Sequence, residues 1–206
     1  MTTQPGPDTD QLLEAVARGD AHARSRLLER HRPKLRRMVA IRFNRRLAAR
    51  VDPSDVVQES LAEAAARLPE YVRDRPLPFY PWLRRIAADR LADAGRRHLH
   101  AGRRSVGREE AEGLPDESVM ALADRLLAPH SSPSARLRRQ ERRDRVRSAL
   151  AALPDRDREV LVLRYLEDLS TADTAAVLGV GEGAVKMRLV RALQRLRDHL
   201  DEEDLP

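Results

Sequence analysis

Residues 171–200 read TADTAAVLGVGEGAVKMRLVRALQRLRDHL, and this stretch decides the fold of the C-terminal part of the chain. Ser170-Thr171-Ala172-Asp173 is a capping-box pattern, a hydroxyl followed three residues on by an acid. The helix it starts is short and stops at Gly179, since glycine closes a helix most easily. Val180-Gly181-Glu182 is a tight turn. With Gly181 as the cap of the next helix, Val180 and Val185 take the two hydrophobic-staple positions. Val185, Leu189, Ala192, Leu193, Leu196 and Leu200 then repeat as one buried stripe of a long last helix.

Two helices about a glycine turn, the second one basic, describe a helix-turn-helix. The first helix props the second, which enters a major groove and reads base edges. The face expected to be open carries Gly183, Lys186, Met187, Val190 and Gln194, with Glu182 just ahead of it. Lys186, Arg188, Arg191, Arg195 and Arg197 surround that face, with no acid between Lys186 and Arg197. A glycine at 183 lets the backbone approach DNA closely. The bland alternative is that these arginines only solvate the helix and complement its C-terminal dipole.

Working outward, Val146, Ala149, Leu150 and Leu153 mark a helix stripe, and Pro154 opens another helix through Val160, Leu163 and Leu166. A domain is expected over 135–200, with an acidic tail at 201–206. Residues 98–134 have linker composition, with Gly102, Gly107, Gly113, Pro115, Pro129 and Pro133, although a short helix fits Val119–Leu127. A first helical domain is expected over 10–97, after a disordered lead-in at 1–9. Within it, Gly19 closes a first helix, Asp20 caps a second, and Pro33 is expected to kink or restart it. Asp52-Pro53-Ser54-Asp55 is a strong helix start. Val57, Leu61, Ala64, Ala65 and Leu68 form its buried stripe, while Asp55, Gln58, Glu59 and Glu63 lie opposite. The segment PEYVRDRPLPFYP, with prolines at 69, 76, 78 and 81, is expected to be a loop. Phe79 and Trp82 fit a core, and Tyr71 and Tyr80 fit stacking. Trp82, Leu83, Ile86, Ala87, Leu91 and Ala94 then form an inward helical stripe. Arg84, Arg85 and Arg90 project elsewhere.

Composition agrees. Aromatics are 3% of 206 residues and charged residues 35%. Ala, Leu, Arg and Glu dominate, so an all-α chain of two small helical domains is expected. The net charge of +6 is carried almost wholly by arginine, Lys34 and Lys186 being the only lysines. Arginine's planar fork suits phosphates and base edges. The chain has no cysteine, which removes disulfides, thiolate metal sites and thiol redox chemistry. No apolar run is long enough to span a bilayer, and MTTQPGPDTD lacks the basic and apolar parts of a signal peptide, so a cytoplasmic location is expected. No phosphate-binding glycine loop or nucleophile motif is present. His98-x-His100 lies in a basic stretch without carboxylates, so neither enzyme, cofactor nor metal site is expected.

LPDRDREVLVLRYLEDLS (153–170) together with 171–200 resembles the C-terminal domain of extracytoplasmic-function (ECF) sigma factors of bacterial RNA polymerase. The likeness rests on Leu153-Pro154, Arg158-Glu159, Arg164-Tyr165, Leu178-Gly179-Val180, Glu182-Gly183, Val185-Lys186, Arg188-Leu189 and Arg191-Ala192-Leu193. DPSDVVQESL (52–61) resembles the family's second conserved region, and PFYPWLRRIAADRLADAGRRH (78–98) the part that handles the −10 element. The ordered pair of an acidic helix and a downstream helix-turn-helix is specific to this family.

The resemblance implies that Asp52, Asp55, Gln58 and Glu59 contact the clamp helices of the polymerase's largest subunit. Capping is the bland reading of Asp52 and Asp55, and both roles can hold at once; it does not explain Gln58 and Glu59, which lie past the first turn. The loop at 69–81 would capture a flipped −10 base, with Tyr71 and Tyr80 as stacking surfaces and Arg84, Arg85 and Arg90 on phosphates. Glu182, Gly183, Lys186, Met187, Arg188, Val190 and Arg191 would read the −35 element, with neighbouring residues docking on the polymerase flap. An anti-sigma factor is a further partner of this family, and no membrane contact is implied. The chain departs from the family at Gly181, Ala184 and Met187, where hydroxyl residues are usual, and at Thr174, where an apolar residue is usual. These departures imply a divergent promoter sequence. The rival reading is a helix-turn-helix regulator that works without polymerase, for which the acidic face of 52–63 has no evident use.

Overall fold

The computed structural model describes residues 7–44, 50–99, 114–127 and 136–202. Every regular element among them is helical, and the chain divides into two compact units, Met1–Pro115 and Asp116–Pro206.

Unit 1 holds α1 (Pro7–Ala17), α2 (Ala21–Arg42), α3 (Pro53–Asp74) and α4 (Phe79–Leu99). Gly19, at φ 87°, turns the chain between α1 and α2. The Asp20 carboxylate then accepts from the backbone N–H groups of His22 and Ala23 at 2.8 and 3.0 Å. The lead-in is shorter than expected. α1 already begins at Pro7, and buried Thr9 is tied to His31, its Oγ1 lying 3.3 Å from the His31 Nε2. Residues 1–6 lie outside the described residues.

Two prolines sit inside helices where a break was expected. α2 runs through Pro33 and α3 through Pro69. Each costs roughly 3 kcal/mol in a helix interior. Packing on both sides outweighs that cost: Leu27, His31, Leu35, Met38 and Val39 are buried along α2, and Leu68 and Tyr71 flank Pro69. The proline-rich loop therefore shrinks to four residues, 75–78. Arg75 ends α3 in the left-handed region, its N–H donating to the Tyr71 carbonyl at 2.7 Å. Pro81 falls in the first turn of α4, where a missing N–H costs little. The core of this unit is rich in rings. Tyr71, Phe79 and Trp82 pack at centroid distances of 4.4 to 5.6 Å, with His31 against Phe79 at 5.0 Å.

Unit 2 holds α5 (Asp116–Leu127), α6 (Arg136–Ala152), α7 (Asp155–Leu161), a π-helical turn (Val162–Leu166), α8 (Thr171–Leu178) and α9 (Glu182–Glu202). α5 falls in the stretch expected to be linker, yet it is part of this unit and packs on α6 and the π turn. Val119, Leu122 and Ala123, spaced for one helix face, are buried. Asp124 meets Arg143 of α6 at 2.6 Å. Residues 100–113 and 128–135, the rest of that stretch, lie outside the described residues, as do 203–206 of the tail and His100 of the histidine pair.

A polar frame holds the unit's helices at their angles. The Arg158 guanidinium donates to the carbonyls of Leu150, Ala151 and Leu153, each at 2.9 Å, and so closes the C-terminal end of α6. Buried Asp157 on α7 accepts a hydrogen bond from Arg195 of α9. Among the described residues, no helix is long and apolar enough to cross a membrane, and no cluster of three or more His, Asp or Glu could hold a metal ion.

Candidate nucleic-acid interface

The helix-turn-helix is built by local chemistry at each corner. The Ser170 Oγ accepts from the Asp173 N–H at 2.9 Å and starts α8. Gly179, at φ 64°, ends it, its N–H donating to the Ala175 carbonyl. The Gly181 carbonyl accepts from the Val185 N–H at 3.1 Å, which makes Gly181 the point of entry into α9 without a side-chain oxygen. Thr174 is fully buried, but its hydroxyl donates to the Ser170 carbonyl at 2.8 Å, so a polar residue stands in an apolar position at no unpaired cost.

α9 shows two faces. Val185, Ala192 and Leu196 are buried and Leu189 and Leu193 half-buried. On the other side Glu182, Gly183, Lys186, Met187, Val190, Arg191 and Gln194 are exposed. That is the predicted reading face, with one shift. Arg188 is half-buried at its edge. Arg195 is turned back to Asp157 and serves the fold.

The acidic face of α3 is equally distinct. Asp55, Gln58 and Glu59 are exposed together, and Asp52 stands exposed at the cap, accepting from the Ser54 N–H at 2.7 Å. Glu63, one turn further, is held elsewhere, by Arg90 at 2.6 Å and Arg67 at 3.1 Å. Its burial pulls the carboxyl pKa up, but the bonds from Arg90 and Arg67 outweigh this and leave it below the usual value.

The residues expected at the −10 element are arranged differently from the sequence expectation. Tyr71 and Tyr80 are core residues, 4% and 3% exposed, so they offer no stacking platform on this surface. The Tyr71 hydroxyl donates to the Leu77 carbonyl at 2.9 Å and that of Tyr80 to the Lys34 carbonyl at 3.2 Å. Burial first of all pushes the Tyr71 pKa up to about 12. Their polar tips brace the 75–78 turn and α2 while their rings fill the core. Arg84 is buried, Arg90 is paired to Glu63, and Arg85 is exposed.

Comparison with known proteins decides what this pair of faces belongs to. Residues 143–196 match the family described as Sigma-70, region 4. The chain is 33% identical over 203 residues to the ECF RNA polymerase sigma factor SigD of Mycobacterium tuberculosis, covering 96% of this chain and 86% of that protein. The chain belongs to the ECF family of RNA polymerase sigma factors. The sigma factor is also 32% identical over 188 residues to ShbA of Streptomyces griseus, covering 90% of this chain and 92% of that protein. A solved structure of CnrH in complex with the cytosolic domain of CnrY matches with a TM-score of 0.51 and 28% identity, over 96% of this chain and 99% of that one. As a sigma factor the protein binds core RNA polymerase and directs it to promoters for transcription initiation.

The frame around α9 escaped the sequence reading. Asp157 and Arg158 look like first-turn charges of α7, yet one is buried under α9 and the other caps α6. No spacing rule signals such long-range partners. The helix of α5 was signalled, because Val119, Leu122, Ala123 and Leu126 follow the helical period, but its place in unit 2 was not.

Proposed function

We propose a division of labour between the two units. The face formed by Asp52, Asp55, Gln58 and Glu59 docks on the clamp helices of the polymerase's largest subunit. The exposed face of α9, with Glu182, Gly183, Lys186, Met187, Val190 and Arg191 and with Arg188 at its rim, reads the −35 element as duplex. Arg85, with Arg84 and Arg90 behind it, lies by the phosphates of the −10 segment. Tyr71 and Tyr80 act there from within the core, Tyr71 by bracing the 75–78 turn and Tyr80 by bracing α2. Binding energy for the unpaired −10 strand shifts the duplex toward the open state. The factor contributes no catalysis of its own, works in the cytoplasm and uses the polymerase flap as a second contact. An anti-sigma factor is a further partner. CnrH is held by the cytosolic domain of CnrY in its structure, and a protein regulator of that kind fits this chain.

The observation that carries this reading is the pairing of an exposed acidic helix face on one unit with an exposed cationic recognition helix on the other. In vitro transcription with core polymerase on a pool of promoter fragments tests it, with Glu59→Arg as the variant. Transcripts that start at a shared motif and fall at least ten-fold with Glu59→Arg are expected. Tight duplex binding by the factor alone, without core binding or transcript, would favour the polymerase-independent regulator.

A further inference from the structure

Among the described residues only two large apolar side chains are exposed, Met187 at 52% and Val190 at 49%. They stand three residues apart on the same face of α9, in its first three turns. The buried stripe of α9 points the other way, at Val185, Ala192 and Leu196. Lys186 and Arg191 are exposed on either side. One turn earlier, Gly183 is exposed, and a Cβ built there meets nothing within 4 Å. The apolar pair therefore sits inside a cationic surface with an open approach at its N-terminal end, a setting that suits a polyanion rather than an apolar protein groove.

Neither side chain reads a base by the usual hydrogen bonds. Valine has no donor or acceptor, and methionine only a weakly accepting sulfur. The major-groove edges of guanine, cytosine and adenine carry polar groups that such side chains would desolvate without repayment. One group on those edges is apolar, the C5-methyl of thymine. The geometry also fits neighbouring base pairs, because three residues of helix advance about 4.5 Å and one base pair about 3.4 Å.

We propose that Met187 and Val190 form a methyl-reading pair that selects thymine, on either strand, at two neighbouring base pairs of the −35 element. The proposal rests on α9 being the −35 helix and names what that helix selects. Lys186 and Arg191 supply phosphate attraction that is blind to sequence. The apolar pair supplies discrimination that a phosphate contact lacks.

Uracil differs from thymine by that methyl alone, so it tests the proposal atom by atom. Holoenzyme containing the full-length factor is titrated against a promoter fragment it transcribes. Each thymine of the −35 element is replaced in turn by uracil, and the series is repeated with Met187→Ala and Val190→Ala. Both residues are exposed and alanine is a good helix former, so the variants fold. Uracil at one or two neighbouring positions should weaken wild-type binding about four-fold per methyl, the scale of one buried methyl group. Met187→Ala should abolish the effect at one of them and Val190→Ala at the other.

The proposal is overturned if no uracil changes wild-type affinity, or if the uracil effect survives in both variants. It is also overturned if the variants lose core-polymerase affinity without any uracil effect, which would mark the pair as a protein contact. Scrambling the −35 element separates the two levels. Scrambling without effect removes the −35 assignment of α9 itself. Scrambling that matters while uracil does not removes only the methyl contact.

Discussion

Unit 1 and unit 2 solve the same folding problem with different materials. Five of the six aromatic residues are in unit 1, and all five are buried there. Unit 2 has only Tyr165, and its core is aliphatic, built on Leu122, Leu150, Leu153, Leu161, Leu163 and Leu169. Their surfaces differ in the opposite sense. Unit 1 shows carboxylates on α3, while unit 2 shows cations and two bare apolar side chains on α9. Rings bury large areas at low entropy cost and bring polar tips. Unit 1 spends those tips on bracing the turn between α3 and α4 and the backbone of α2. Unit 2 has almost no rings to spend, and fixes its helix angles with charge, through buried Asp157 and half-buried Arg158.

Given that contrast, each unit should fail to its own perturbation. Trp82 is the only tryptophan, so its fluorescence follows unit 1 alone, whereas far-UV circular dichroism follows both units. Phe79→Ala is expected to have the largest effect, a loss of about 3–5 kcal/mol as in other buried ring deletions. The Trp82 urea transition should move to lower denaturant while a second helical transition stays in place. A single merged shift would show that the units unfold together.

Acid comes next. Burial, and then the charges of Lys34 and Arg30, push the His31 pKa down from 6.5 to about 4. The unfolded chain takes up a proton at 6.5 that the folded one refuses until about 4. His31 therefore costs no stability above pH 6.5, and stability is lost as pH falls toward 4, by about 3 kcal/mol at the limit. The Trp82 transition should show this slope between pH 6.5 and 4.5, and His31→Gln should flatten it. An unchanged slope in the variant would assign the loss to other groups.

The smallest effect is expected from Asp157→Ala. It frees Arg195, whose side chain is 43% exposed, so solvent recovers part of the loss and about 2 kcal/mol remains. Only the unit 2 transition should move. If α9 reads the −35 element as proposed, the functional cost should exceed the stability cost, because Arg195 and Asp157 fix the angle of that helix.

The helix-turn-helix was legible in the sequence because its determinants are local. Ser170, Gly179 and Gly181 each act within four residues of themselves. The acidic face of α3 was legible for the same reason, as a helical period beside a strong start signal. What escaped depends on partners far along the chain. Whether Tyr71 and Tyr80 face inward is set by the Phe79 and His31 rings and by the Lys34 carbonyl, not by their spacing. Pro33 and Pro69 carry a local signal to stop, and burial on both sides overrules it. Arg158 reads as a surface charge until its three carbonyl acceptors are seen.

The π-helical turn at Val162–Leu166 sets a phase. Its wider turn takes one more residue than an α-turn, with the Glu167 N–H donating to the Val162 carbonyl at 2.9 Å. An α-helix advances about 100° per residue. Removing one residue here would restore a regular helix and still rotate everything downstream by about that angle relative to α7. Leu169 would leave the core, and α9 would swing its cationic side off axis. Length in this segment is therefore a constraint of its own beside the burial of Val162 and Leu163: four or six residues would aim α9 in the wrong direction.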